Sequence, residues 1–152
     1  MQKCPSLQGG FFDFRREYIQ KIPISTNQNE FDSILEEKSN KILNYNRSLQ
    51  DTKNKIQNRI ILEFNPKKIN KKLKDIQNLE FNEFIKEIKK VSSIHLSLEK
   101  LDEWEDYFTE KKNKLHDLQN RINSIDNEIN KIVYEIYSIS PDEIKTIDNK
   151  IK

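Results

Sequence analysis

The chain has 152 residues, 34% of them apolar and 34% charged, with a net charge of +2. That is one domain's length, lean for a thick globular core, but close enough to neutral and regular enough in its apolar spacing to exclude a disordered tail. The single Cys4 makes neither an intramolecular disulfide nor a metal site, and no apolar run approaches a membrane span or a signal peptide, so the expected location is the cytoplasm, with no membrane contact.

In chain order, GGFFDFRREYIQKIPI (residues 9–24) holds both glycines, aromatics at Phe11, Phe12, Phe14 and Tyr18, and Pro23 between Ile22 and Ile24. It predicts a short extended or β segment over about residues 1–26, too small to be a sheet alone. From about residue 29 the period changes. Leu35, Ile42, Leu49 and Ile56 fall at sevens with Phe31 and Tyr45 interleaved, while Lys38 and Thr52 interrupt the second row; this predicts a long helix to about Phe64. A second, cleaner stripe runs through Leu101, Trp104, Phe108, Leu115, Leu118, Ile122, Ile125, Ile129, Ile132 and Ile136, with only Lys111 out of place.

Between the stripes, residues 65–97 read as a small helical cap. Asn65 and Pro66 fit a helix cap and first position, Ile69, Leu73 and Ile76 one apolar face, and Phe81, Phe84, Ile85 and Ile88 another. Ser97 fits an N-cap for the second long helix. A linker with its own apolar faces can return the chain, so the expected fold is mainly α: a long antiparallel helical hairpin, coiled-coil-like, closed by a helical cap over about residues 65–97, with Ile125 buried in its seam. At the far end Ser140, Pro141, Asp142 and Glu143 carry a hydroxyl cap, a first-position proline and the capping-box spacing, with Ile139 and Ile144 as a hydrophobic staple. They predict a helix stop and restart, with a short last helix over about residues 140–150.

The chemistry is sparse. Asn65-Pro66 invites comparison with the Asn-Pro-Pro-aromatic loop of amino-methyltransferases, but Lys67 and Lys68 stand where the second proline and the aromatic belong. His95 and His116 have no ligand at metal spacing, and two glycines cannot build a nucleotide loop. Trp104 and Phe108 fall on the core stripe. Charge, however, is uneven: residues 1–75 carry 15 Lys/Arg against 9 Asp/Glu, and residues 76–152 carry 12 against 16. Lys67, Lys68, Lys71 and Lys72 recur at helical spacing with Lys74 beside them, and Arg15 and Arg16 sit among the N-terminal aromatics. Both sets are candidate phosphate or base contacts, and no catalytic or metal residue is assigned.

Four stretches in order, GGFFDFRREYIQKIPI, LEFNEFIKEIKK, LSLEKLDEWEDYF and INKIVYEIYSISPDEIKTID, resemble the C-terminal part of type IIG restriction-modification enzymes and of adenine-specific DNA methyltransferases with a TaqI-like C-terminal specificity domain. The closing match is Val133, Tyr134, Glu135, Ile136, Tyr137, Ser138, Ile139 and Ser140, with Ser138 where that family usually has glycine. The resemblance implies that residues 1–26 are the tail end of a target-recognition domain, that residues 27–152 form the helical hairpin, and that the last helix is a terminal clasp. It also implies that the S-adenosylmethionine-binding and catalytic parts lie upstream, in cis or on a split partner. The chain itself is then expected to bind no cofactor and transfer no methyl group, and to serve as a DNA-specificity and support segment whose partners are double-stranded DNA and that upstream domain. The alternative is a structural coiled-coil interaction or dimerisation module that never meets DNA.

Overall fold

In the computed structural model, residues 30–93 and 96–151 are described. The expected N-terminal extended segment, Arg15, Arg16 and His95 lie outside them. The described chain is helical: α1 (Asp32–Phe64), α2 (Lys71–Lys74), a 3₁₀ turn (Ile76–Asn78), α3 (Phe81–Val91), α4 (Leu98–Ile136) and α5 (Pro141–Ile151). Two compact units are distinguished. One is Ile34–Lys131; the other includes Ile132–Lys152.

Within Ile34–Lys131 the two long helices pair in a helical-hairpin-like arrangement. Lys38 ion-pairs with Glu128, the Arg121 guanidinium lies 5.9 Å from the Tyr45 ring, Arg59 lies 4.4 Å from that of Tyr107, and Lys100 approaches Glu63 at 3.9 Å. Partner numbers fall as the others rise, so the helices run antiparallel. At 1.5 Å per residue, their 33 and 39 residues correspond to roughly 50 and 58 Å.

Every stripe position of α1 from Leu35 to Ile56 is half-buried or buried, including the two polar interruptions. Thr52 is 6% exposed because its Oγ1 donates to the Ser48 carbonyl at 2.8 Å, and Lys38 covers its stripe position with its stem while its ammonium reaches Glu128. Lys111 does the same on α4, with Nζ 2.7 Å from Glu110 and 5.1 Å from the Tyr107 ring. Beyond Ile56 the spacing changes to steps of four, through Ile60 and Phe64, both essentially unexposed. Each such step advances about 40° past a full turn. The buried row of α1 thereby rotates at the end where the intervening segment packs.

That end holds the core. Ile56, Ile60 and Phe64 of α1 meet Leu73, Ile76, Leu79, Phe84, Ile85 and Ile88 of the intervening segment and Trp104, Phe108 and Leu115 of α4. The rings form a connected set: Phe64–Trp104 at 4.7 Å, Phe84–Phe108 at 5.1 Å, Phe84–Trp104 at 5.6 Å and Phe81–Phe108 at 5.7 Å between centroids. By contrast Leu35, Ile42, Tyr45 and Leu49, with Ile122, Ile125 and Ile129, are only half-buried. The burial expected of Ile125 in the seam gives way to half-burial: the pair has a strongly packed end and a thin one, because two helices alone cannot surround a stripe.

Helix ends follow local chemistry, in one case against expectation. Asn65 does not start a helix; it stops α1. Its φ is 40°, and its N–H donates to the Ile61 carbonyl at 3.0 Å, the left-handed cap that asparagine tolerates well. Pro66 follows without an N–H, so a second cap bond is impossible, and the last carbonyl of α1, that of Phe64, accepts from Ser92 Oγ at 2.6 Å. The next helix begins only at Lys71 and lasts four residues, capped by Asn70, whose Oδ1 accepts from the Leu73 N–H at 3.0 Å. The Ser97 cap holds as expected: Lys100 N donates to Ser97 Oγ at 3.3 Å.

The stop and restart near the C-terminus is also as expected. Ile139 N–H donates to the Tyr134 carbonyl at 2.9 Å and Ser138 N–H to that of Glu135 at 3.0 Å, a Schellman closure with Ser138 at φ 50°. Glu143 then accepts from Ser140 N at 2.9 Å and its own N–H donates to Ser140 Oγ at 3.4 Å, which starts α5 at Pro141. The left-handed conformation costs a residue with a Cβ about 1–2 kcal/mol. Ser138→Gly is therefore expected to stabilise this corner by about 0.5–1 kcal/mol after glycine's extra chain entropy is subtracted. A thermal unfolding midpoint that stays put or falls would show that Ser138 is not strained there.

Candidate nucleic-acid interface

The segment from residue 65 to 93 holds eight lysines and four acids. Its placement follows from the core: Leu73, Ile76, Phe84 and Ile88 point inward, so the intervening polar positions point out. Lys67, Lys68, Lys71 and Lys72, the four expected candidates, are all exposed, as are Lys74, Lys86, Lys89 and Lys90. The acids are mostly engaged. Asp75 faces Lys53 of α1 at 3.4 Å, Glu80 faces Lys112 of α4 at 2.8 Å, and the Glu83 carboxylate accepts the Glu80 N–H at 3.1 Å. Two of these pairings bring cations from outside the segment. The segment's own lysines therefore stay largely uncompensated.

Glu87 is different, and sequence reasoning missed it. It is a carboxylate only 6% exposed, on the flank of the apolar face of α3. Its Oε1 lies 2.7 Å from Lys90 Nζ and 3.7 Å from Lys72 Nζ, and its Oε2 accepts from Asn70 Nδ2 at 2.9 Å. The Asn70 amide thus caps α2 with its oxygen and holds Glu87 with its nitrogen, a double use that fixes its orientation. The only legible signal was the three-residue spacing of Glu87 and Lys90; the approach of Asn70 and Lys72 depends on tertiary packing.

The hydrogen bond from Lys90, opposed by desolvation but joined by Asn70 and by the charges of Lys90 and Lys72, holds the Glu87 carboxyl below its ordinary value near 4.5. A carboxyl depressed in the folded state stabilises the fold fully above its unfolded value, and that contribution is lost as pH falls through the folded one. From about pH 4.5 downward the wild-type melting temperature should therefore fall more steeply than that of Glu87→Gln. Parallel pH profiles for the two proteins would show that the network does not stabilise the fold.

Beside this network a cleft of about 520 Å³ is lined by Lys68, Ile69, Asn70, Lys71, Lys74 and Val91. The Lys67 N–H donates to the Val91 carbonyl at 3.2 Å, tying the chain after α1 to the end of α3. The other sequence candidates for special roles are structural. Trp104 and Phe108 are 2% and 3% exposed, and His116 sits at the surface with Nε2 3.0 Å from the Gln77 carbonyl oxygen. Among the described residues no group of three or more His, Cys, Asp or Glu could hold a metal ion, and no helix is long and apolar enough to cross a membrane.

No curated protein and no solved structure matches the chain. One family does, described as Domain of unknown function (DUF8810), over residues 26–133. The matched region takes in α1, the lysine-rich segment with its Glu87 network and nearly all of α4; the Val133–Ser140 motif lies almost wholly beyond it. With more than two thirds of its length so matched, the chain belongs to the DUF8810 family.

Proposed function

We propose that the chain supports DNA recognition, as the C-terminal specificity and support segment of a restriction-modification adenine-specific DNA methyltransferase. The target-recognition and catalytic parts, with the S-adenosylmethionine site, belong in this reading to an upstream domain in cis or on a split partner. The observation that carries the DNA contact is the exposed lysine surface of residues 67–90, in which Lys67, Lys68, Lys71, Lys74, Lys86 and Lys89 have no ion-pair partner among the described residues. Such a surface neutralises phosphates without reading bases, so it gives register and affinity rather than sequence choice.

Full-length chain should then bind duplex DNA weakly, at about 10⁻⁴ to 10⁻⁶ M, with a steep salt dependence and little sequence preference. Changing Lys67, Lys68, Lys71 and Lys72 together to glutamine should flatten the log-log salt slope by about 0.9 for each lysine that touches a phosphate. A parallel Arg15→Gln/Arg16→Gln variant tests the N-terminal segment. Fluorescence anisotropy across a salt series decides it: no binding at low salt removes the DNA reading.

The second reading, a structural coiled-coil interaction module, is favoured by one observation. The seam away from the core is only half-buried. A concentration-dependent dimer by light scattering, with no DNA binding, would put that reading first.

A further inference from the structure

We propose that Glu87 withholds Lys72 and Lys90 from nucleic acid, and that the phosphate-contacting set is Lys68, Lys71 and Lys74 around the adjacent cleft. This rests on the DNA-support reading and changes which residues carry it. Lys72, which the helical spacing places with the other candidates, and Lys90 both direct their ammonium groups at one carboxylate, at 3.7 and 2.7 Å. That carboxylate is held in place by the Asn70 Nδ2 donor, itself oriented by the bond its Oδ1 accepts from the Leu73 N–H, and cannot move to solvent without giving up that donor. A lysine can leave Glu87 for a phosphate only by leaving a largely buried carboxylate with fewer partners.

Lys68, Lys71 and Lys74 bear no such commitment. They follow at intervals of three, so Lys71 and Lys74 stand about one helical turn apart, roughly 5–6 Å between Cβ atoms. All three line the cleft, whose apolar wall is Ile69 and Val91. The ligand that fits this lining is a sugar–phosphate strand: phosphates meet the ammonium groups while the apolar face of a deoxyribose lies over the two aliphatic side chains. A row of lysines on a convex helix would give charge alone; the cleft adds a place for the strand to sit.

The test is the salt dependence of binding of the full chain to a 20-base-pair duplex. With about 0.9 of slope per phosphate neutralised, Lys68→Gln/Lys71→Gln/Lys74→Gln should flatten the slope by about 2.7, whereas Lys72→Gln/Lys90→Gln should change it by less than about 0.9. Glu87→Gln frees two ammonium groups and should steepen the slope by up to about 1.8. Circular dichroism establishes that each variant is folded, and the Lys72/Lys90 variant decides the matter if Glu87→Gln is not. Wild-type binding with equal flattening by both lysine sets, or an unchanged slope in a folded Glu87→Gln, would overturn the inference and leave the DNA reading standing. No wild-type binding, or binding by the same lysines to phosphatidylserine vesicles but not to DNA, would overturn both.

Discussion

Replacing Phe84 with alanine should lower the free energy of unfolding by about 3–5 kcal/mol, a large part of the stability of an ordinary domain. Phe84 is fully buried and is the ring through which all three parts of the core communicate. Its centroid is 6.5 Å from Phe64 of α1, 5.6 and 5.1 Å from Trp104 and Phe108 of α4, and 6.2 Å from Phe81 of its own helix. Truncation removes those contacts and leaves a cavity that four neighbouring rings cannot fill without leaving their rotamers. Urea denaturation monitored at Trp104 measures the loss directly. An unchanged midpoint would mean that the intervening segment does not anchor the pair.

A charge placed in the same core should be worse. Ile60→Asp puts a carboxylate where the side chain is 0% exposed among the apolar residues of the core, and no cooperative unfolding transition is expected at neutral pH. Ile125→Asp is the informative companion. Ile125 lies on the α4 stripe but is only half-buried, so its carboxylate can reach water with a modest local rearrangement. That variant should remain folded around the aromatic core while amide exchange accelerates along the thin end of the two long helices, over about residues 34–49 and 118–131. Equal collapse of both variants would show that stability is spread evenly along the pair.

The amino-acid sequence by itself determined the helices. Steps of three and four residues mark the face each long helix can bury whatever it meets, and Ser97 and Ser140 mark starts because a hydroxyl next to a helical run satisfies a free N–H. For the same reason the ends of α1 and α4 were readable to within a few residues. The sequence also marked the lysines, since a basic position opposite an apolar one must face solvent.

What it left open was partnership. Asn65 followed by proline fits either a start or a stop; in the fold its left-handed φ makes it a stop, and Ser92, 28 residues on, takes up the Phe64 carbonyl. Thr52 and Lys38 look like breaks in the stripe, yet Thr52 is buried because the backbone four residues earlier accepts its hydroxyl, and Lys38 is half-buried because Glu128, 90 residues away, receives its charge. Glu87 is the clearest case. Nothing in the residues around it says that a carboxylate there is buried, because its burial depends on Asn70 and Lys72 arriving from another element. Periodicity is a property of one helix and is written in its own residues; which polar groups are paired, and so which lysines remain free for a phosphate, depends on distances between elements that only the folded chain brings together.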